Sequence, residues 1–509
     1  MMYQWLTAIR QSKSAIFLWA AFGLLAVLSA HNLSAYPQTW IDEGFVEQGA
    51  INLANHGQYA MYSTEGFRVL DQPLIANGPG VVLPIALMYR LFGVGLLQAR
   101  LVILGYMLVC VVLFFLLARR IFGQTAALVS TLLVLAVPGE GILYYGRQVL
   151  GNIPALCYFF AGYSLYVLFL ERKSKGYALA AGLLFGLAMV TKGQYYPIIP
   201  ALLAVAGLSF VLYRQPQPAR MLWVLVPAIL TLGGWYLAQV LILGWEGYLA
   251  QAAAIRSSSA VTILVFNPQN IQSSVLTLIR SGTIFFTVPG WLYAARKCWR
   301  REAGSERLLL PLALIPIWTV WFVFLSIGWP RYLLDASILS IFLSGDWLIA
   351  LLRWSLGRMR LASPPGRKAL PAAGLVFSAL LVLFAAFRFS DLVVSIAAAP
   401  NPSAQIFTQT LAAQIPSGEM VESWEWQLDP LSPGIRFHHP PNAVVDAETA
   451  LLFLGSQQAI AYNPLAARPA FLINGPFSKG TGIYRLALQH GCCELVSSTG
   501  PYDLYRVIQ

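Results

Sequence analysis

The chain has 509 residues, of which 58% are hydrophobic and only 11% are charged, and its mean hydropathy is +0.65. A soluble globular protein cannot hide so much apolar surface, so the composition indicates a polytopic membrane protein. The formal net charge of +12 would suit nucleic-acid binding, but the basic residues form short clusters between apolar runs and no binding module accompanies them. We therefore expect membrane lipids, and no nucleic acid, as partners.

Apolar runs near the roughly 20 residues that a helix needs to cross a bilayer recur along most of the chain. The first run, residues 15–30, follows Arg10 and Lys13 and lacks a convincing cleavage site, so we expect an uncleaved helix that enters from the cytoplasm. The sequence predicts about 11 transmembrane helices. The further predicted spans are residues 98–118, 121–139, 152–170, 177–191, 196–213, 221–243, 281–295, 308–328, 332–352 and 370–389.

The distribution of charge predicts the orientation in the membrane. With the N-terminus inside, 19 of the 33 Lys and Arg residues fall on short inner loops and nine fall on the outer side of the membrane part. This bias follows the positive-inside rule and predicts a cytoplasmic N-terminus and an extracytoplasmic C-terminus. Acidic residues are concentrated on the predicted outer side, which has two long loops, residues 31–97 and 244–280. We therefore expect the polar chemistry on that side.

The composition becomes polar from about Pro400 onward. We expect residues 1–399 to form the membrane domain and residues 400–509 a small extracytoplasmic α/β domain. In this tail the runs "MVESWEW", "PAFLING" and "YDLYRVIQ" are typical of strands, and "DAETALLFLG" is typical of a helix. In the first outer loop, "PGVVLPIALMYRLFG" is apolar but too short to span comfortably, which favours a helix lying along the membrane interface.

Two scarce carboxylates, Asp42 and Glu43, stand side by side after the first apolar run, in "TWIDEGFVEQGA". One interpretation is that they only stabilise the N-terminus of the following helix through its dipole. The other is that a carboxylate at the membrane surface acts as a general base or binds a cationic group. The residues alone leave both interpretations open.

The order of several further motifs resembles one family of membrane enzymes. The sequence is similar to GT-C glycosyltransferases of the protein O-mannosyltransferase and aminoarabinose-transferase kind, which use polyprenyl-phosphate sugars. Each motif is loose, and the resemblance depends on their order over most of the chain. The motifs are "WIDEGFVEQGAINLANHGQY", "NGPGVVLPIALMYRLFGVGLLQARL", "YYGRQVLGNIPALCYFF", "VTKGQYYPIIPAL", "GWPRYLLDASIL" and, in the tail, "VESWEWQLD", "FHHPP" and "GPYDLYR".

The resemblance implies a GT-C-like fold and an inverting transfer on the outer face of a bacterial plasma membrane. An acceptor nucleophile, on a protein, a lipid or a glycan, would attack the anomeric carbon of a sugar held on a polyprenyl phosphate. Asp42 matches the first residue of the family's Asp-Glu pair and would be the general base. Glu43 would orient the acceptor or, in metal-using relatives, lie near a divalent ion.

A phosphate leaving group also needs fixed positive charge near the outer leaflet. Lys192, Arg331 and Arg147 are among the few basic residues on the outer side, and each begins or ends a span. Gln194 and Tyr332 lie beside two of them and complete the predicted lipid-phosphate site. The alternative for each basic residue alone is snorkelling from a helix end toward the lipid head groups.

The sequence departs from the family pattern at Asn152, in "VLGNIPAL", where family members often carry an acidic residue near the catalytic base. An amide cannot take a proton or balance the charge of a metal, so Asn152 disfavours a metal-dependent mechanism. We place Asn152 and Asp71 as supporting residues around the base. We predict no metal ligands and no certain cofactor, although a divalent cation is not excluded.

Two other classes of function compete with the glycosyltransferase. A transporter or flippase of lipid-linked sugars would also have many helices, but it should place charges near the bilayer midplane. Asp335 and Asp346 are the only acidic residues well inside a late predicted span. The third hypothesis is a non-catalytic lipid-sugar binder, which the neutral Asn152 suggests.

Overall fold

The computed structural model describes residues 22–63, 66–69, 78–136, 141–214, 218–361, 369–398, 402–454 and 462–508. Residues 22–30 form the end of the first predicted helix. Asp71 and the predicted domain boundary between residues 399 and 400 lie outside the described residues.

Helices of very different length make up most of the membrane part. They run in chain order as α1 (Ile41–His56), α2 (Pro79–Phe92), α3 (Leu96–Phe122), α4 (Gln124–Ala136), α5 (Ile142–Tyr145), α6 (Asn152–Arg172), α7 (Lys175–Thr191), α8 (Ile198–Tyr213), α9 (Pro218–Thr262), α10 (Pro268–Arg280), α11 (Thr283–Trp299), α12 (Leu309–Leu325), α13 (Pro330–Leu361) and α14 (Ala369–Ala397). A short hairpin of β1 (Ala60–Ser63) and β2 (Gly66–Val69) follows α1.

The described residues include seven helices long and apolar enough to cross a membrane, or eight if the bent pair α10 and α11 counts as one span. This number, which counts only the described residues, is lower than the predicted 11. The helices α4 and α7, predicted as spans, have only 13 and 17 residues, and the first predicted helix is described only from residue 22. The predicted polytopic helical membrane fold is confirmed.

The predicted outer loop at residues 244–280 is largely helical. Helix α9 continues for 45 residues to Thr262, with a bend at Gly244, whose φ of 72° lies in the left-handed region. Helix α10 follows and meets α11 at an angle of 80°. The polar composition of this stretch suggested a loop, whereas it belongs to α9, a helix that also contacts a helix of the tail.

Helix α2 begins at the predicted apolar run and packs closely against the end of α7. The backbone N–H of Gly78 donates to the carbonyl of Thr191 at 2.9 Å. A Cβ at Gly78 would lie 1.8 Å from the carbonyl oxygen of Val190, so this approach requires glycine. The contact fixes the end of α7 directly before Lys192.

The tail is an α/β unit, as the sequence predicts. Its sheet has the strand order β4-β3-β5-β7-β6, in which β3 runs parallel to β4 and β5, and β7 runs antiparallel to β5 and β6. The strands are β3 (Met420–Ser423), β4 (Arg436–His438), β5 (Phe471–Asn474), β6 (Cys493–Thr499) and β7 (Tyr502–Val507). The helices are α15 (Ser403–Gln414), α16 (Asn442–Leu454), α17 (Pro476–Thr481) and α18 (Arg485–Gln489).

The tail packs directly on α1. The Phe45 ring lies 4.5 Å from the ring of Trp426, and Gln48 Nε2 donates to Asp429 Oδ2 at 3.0 Å. At Gly44 a Cβ would lie 2.2 Å from the carbonyl oxygen of Trp426, so glycine permits the closest backbone approach. The tail therefore contacts the helix at the residues that follow Asp42 and Glu43.

Candidate active site

Helix α1 brings Asp42 and Glu43 to its first turn. Trp40 precedes the helix in an extended conformation, and the two carboxylates lie where the helix dipole favours negative charge. Successive residues of a helix are rotated by about 100°, so the two side chains leave the helix in different directions. Asp42 is partly exposed, whereas Glu43 is fully buried.

Asp42 forms an ion pair with Arg331, through Oδ2 and Nη1. Arg331 lies in the first turn of α13, directly after Pro330. Its guanidinium carbon lies 4.4 Å from the ring centre of Trp329 and 5.1 Å from the ring centres of both Trp40 and Tyr332. These cation–π contacts surround a charge that is largely removed from water.

Glu43 is held in a different place from Asp42. Arg100 donates to it through Nε at 3.0 Å and through Nη2 at 2.6 Å, and the backbone N–H of Val149 donates to Oε2 at 2.8 Å. Both side chains are completely buried, and Arg100 Nη1 also donates to the carbonyls of Leu33 and Pro37. These contacts give Glu43 a part in fixing the start of α1.

One turn further into α1, Glu47 is also buried. It accepts a hydrogen bond of 2.8 Å from Tyr89 Oη on α2. Burial, and next the charge of Glu43, raise the pKa of Glu47 well above its usual value. Burial therefore favours the neutral form of this carboxyl group, which belongs to a polar layer that joins α1, α2 and the tail.

A second polar cluster lies between α6, α7 and α13. Tyr195 Oη donates to Asp335 Oδ1 at 2.5 Å, and Asn152 Nδ2 donates to Gln194 Oε1 at 2.9 Å. Lys192 begins the short turn that contains Gln194 and Tyr195, and its ammonium group is attracted electrostatically by the Asp335 carboxylate. This cluster unites three predicted site residues with Asp335.

Helix α13 connects the two clusters, because Arg331 and Asp335 are four residues apart and lie on the same helix face. Three buried polar atoms at these clusters have no hydrogen-bond partner within the described part of the chain. They are Arg331 Nε, Gln194 Nε2 and Asn152 Oδ1. Two of them are donors, which suits an anionic oxygen-rich ligand.

Arg147 does not join Asp42. Its guanidinium group donates to the carbonyls of Ser29 and His31 at 2.6 Å each and to that of Tyr36 at 3.0 Å. These contacts tie Arg147 to the segment that enters α1. Tyr332 is buried and lies under the Arg331 guanidinium, stacked at 6.0 Å against Trp329, so its ring supports Arg331.

Sequence reasoning did not select Asp335 as a site residue or Arg100 as the partner of Glu43. A signal existed for Asp335, because it is a carboxylate inside a predicted span and one helical turn after a predicted site arginine. The other acidic residue of that span, Asp346, pairs with Lys297 at 2.9 Å. No sequence signal linked Glu43 to Arg100, since their pairing depends on the packing of α1 against α3.

The described residues contain no group of three or more His, Cys, Asp or Glu side chains that could hold a metal ion. His438 and His439 of the tail bind different partners. His438 Nδ1 lies 2.5 Å from Glu422 Oε2, whereas His439 Nε2 lies 3.0 Å from Asp429 Oδ1. This agrees with the opposite directions expected of neighbours on an extended chain.

Comparison with known proteins identifies the fold. Residues 71–235 match the family described as dolichyl-phosphate-mannose-protein mannosyltransferase. No curated protein matches the chain in sequence.

Two solved structures share the architecture over nearly the whole chain. ArnT from Cupriavidus metallidurans bound to undecaprenyl phosphate is 14% identical, with a TM-score of 0.64 and coverage of 97% of this chain and 98% of ArnT. The oligosaccharyltransferase AglB from Archaeoglobus fulgidus, in complex with an inhibitory peptide and a dolichol-phosphate, is 13% identical, with a TM-score of 0.58 and coverage of 97% and 75%. The GT-C-like fold expected from the sequence motifs is therefore confirmed.

Proposed function

We propose that the protein is an inverting glycosyltransferase that moves a sugar from a polyprenyl-phosphate donor to an acceptor on the outer face of a bacterial plasma membrane. The observation that carries this proposal is the ion pair between Asp42 and Arg331. It joins the carboxylate predicted as the general base to a cation predicted to bind the phosphate. The fold supports it, because structures of this architecture have been solved with undecaprenyl phosphate and with dolichol-phosphate.

In this proposal the donor phosphate and Asp42 compete for Arg331. A phosphate oxygen that accepts from Arg331 weakens the ion pair and releases the Asp42 carboxylate. The unpartnered Nε of Arg331 offers a further donor to the same anion. Lys192 supplies a second positive charge from the neighbouring cluster.

The released carboxylate then accepts the proton of the acceptor as that nucleophile attacks the anomeric carbon. The new bond forms on the face opposite the phosphate, and the bond between the anomeric carbon and the phosphate oxygen breaks. Its electron pair remains on the polyprenyl phosphate, whose negative charge Arg331 and Lys192 stabilise. Inversion at the anomeric carbon follows from this single displacement.

The purified full chain tests this proposal with a synthetic polyprenyl-phosphate sugar and a panel of protein, lipid and glycan acceptors. Asp42→Asn retains an acceptor oxygen for Arg331 but cannot serve as a base, so we expect transfer to fall by about 10²- to 10⁴-fold. Binding of the donor should remain. Asp391→Asn, which changes an exposed carboxylate on α14, is the matched control and should transfer normally.

Equal turnover by wild type and Asp42→Asn would remove Asp42 from the role of base. Passage of the lipid-linked sugar across a vesicle membrane without covalent transfer would instead identify a transporter. Tight donor binding without transfer to any acceptor by wild type would identify a non-catalytic binder.

A further inference from the structure

Asp335 is a buried carboxylate that the proposed chemistry does not use directly. It lies in the second turn of α13 and is only 1% exposed. A charged carboxylate in a membrane helix is costly unless a cation and hydrogen bonds compensate it. The groups around Asp335 should therefore show what compensates its charge.

The groups around Asp335 come from three other parts of the fold. Tyr195 Oη donates to Oδ1 at 2.5 Å, from the turn that Lys192 begins. Cys110 on α3 and Cys157 on α6 are the titratable groups of those helices that face the pair of Asp335 and Tyr195. Both thiols are buried, and Lys192 is the cation whose charge acts on Asp335.

Lys192 itself is in a poorly solvated position at the end of α7. Burial lowers the pKa of Lys192 to about 8, and the Asp335 carboxylate acts in the opposite direction. A lysine with a lowered pKa loses its charge as the pH rises through that value. Without Asp335, Lys192 would begin to lose its charge at a lower pH.

The turn that begins at Lys192 has two anchors. Asp335 holds it through Tyr195, and Asn152 holds it through Gln194. Asn152 is neutral, so only the anchor on α13 carries a negative charge. Because Arg331 lies one turn away on α13, the same helix places both cations of the proposed phosphate site.

We propose that Asp335 is a positioning residue, which fixes the turn from Lys192 to Tyr195 against α13 and keeps Lys192 charged for the donor phosphate. This inference rests on the proposed function for the identity of the ligand. It does not depend on Asp42 acting as a base.

Binding of undecaprenyl phosphate to the detergent-solubilised full chain, measured between pH 6.5 and 9.5, tests the proposal. Asp335→Asn keeps an oxygen that accepts from Tyr195 but removes the charge. We expect the pH at which binding is lost to move downward, with a loss of affinity of about tenfold near pH 8 for each unit by which the pKa of Lys192 falls. Tyr195→Phe removes the hydrogen bond that ties the turn to Asp335, so its affinity should fall across the whole pH range.

A rescue variant separates charge from general damage to the fold. In Asp335→Asn combined with Asn152→Asp, the new carboxylate stands at the other anchor of the turn. The Gln194 amide can rotate to present its unpartnered Nε2 to it. The double variant should therefore recover the wild-type pH profile at least in part.

An unchanged pH profile in Asp335→Asn, or failure of the double variant to shift the profile back, would overturn the role of Asp335. Absence of lipid-phosphate binding by wild type would overturn it as well. Normal lipid binding with no sugar transfer would overturn only the proposed function, because the binding assay does not require turnover.

Discussion

The packing of the tail on α1 makes Gly44→Ala the most informative single substitution. A Cβ at this position would lie 2.2 Å from the carbonyl oxygen of Trp426, 2.3 Å from its carbonyl carbon and 2.6 Å from the amide nitrogen of Gln427. Ordinary contacts between heavy atoms are about 3.5 Å, so the two backbones must separate by roughly 1 Å. Backbone atoms cannot move aside as a flexible side chain does.

Separation by this amount affects the neighbouring contacts. The Phe45 ring lies against Trp426, and Gln48 donates to Asp429 at 3.0 Å. Overpacking costs about 1–3 kcal/mol, and loss of a hydrogen bond to a charged group costs about 1.5–3 kcal/mol. The higher helix propensity of alanine than of glycine offsets only about 1 kcal/mol of this loss. We expect a net loss of about 1.5–5 kcal/mol at this interface.

The loss should appear in two measurements on the full chain. Limited proteolysis of the tail should become faster, and hydrogen exchange of the α1 amides should accelerate. Transfer should fall, because α1 carries Asp42. Gly105→Ala is the matched control, since a Cβ on this α3 glycine meets no atom within 4 Å. Wild-type proteolysis, exchange and transfer in Gly44→Ala would refute a rigid contact between the tail and α1.

Three further predictions concern the ion pairs. Arg331→Lys keeps a positive charge but loses the planar guanidinium fork, so affinity for undecaprenyl phosphate should fall by about tenfold in a direct binding titration. Unchanged affinity would show that the fork of Arg331 does not bind the phosphate. Arg100→Gln leaves Glu43 as a buried unpaired charge and should lower the free energy of unfolding by about 3–5 kcal/mol. In thermal unfolding, the double variant with Glu43→Gln should lose less stability than Arg100→Gln alone. Burial lowers the pKa of His439, but the charge and hydrogen bond of Asp429, the Ser423 carbonyl and the charge of Glu422 together outweigh it and raise the pKa. The contribution of His439 to stability is therefore full below about pH 6.5 and is lost as the pH rises through the raised value. His439→Gln should therefore reduce the fall in melting temperature between pH 6 and 9, and an unchanged fall would exclude this role.

The membrane class, the helical fold and the α/β tail could be predicted from the sequence because they depend on composition and local periodicity. The apolar runs of α3 and α13 are unambiguous, and alternating β-prone runs predict β5 and β7. The helical second part of α9 could not be recognised. Its polar composition resembles that of a loop, and the contact between α9 and α16 depends on the folded tail.

The candidate site could be predicted only in part. Asp42 and Arg331 were selected as single residues, and the fold brings them together across 289 positions of the chain. The burial of Glu43 against Arg100 could not be predicted, because it depends on how the start of α1 packs against α3. Asp335 was noted only as a charge inside a span, since its contact with Tyr195 joins two distant segments.

Under the proposed mechanism, the pairing of Asp42 with Arg331 makes the base available only on demand. Asp42 is released only while a donor phosphate engages Arg331, so the carboxylate would be free to accept a proton only when there is a sugar to transfer. After transfer, the polyprenyl phosphate that remains would still occupy Arg331. Departure of the spent lipid carrier would then reset the ion pair, and accumulated carrier would inhibit the next cycle.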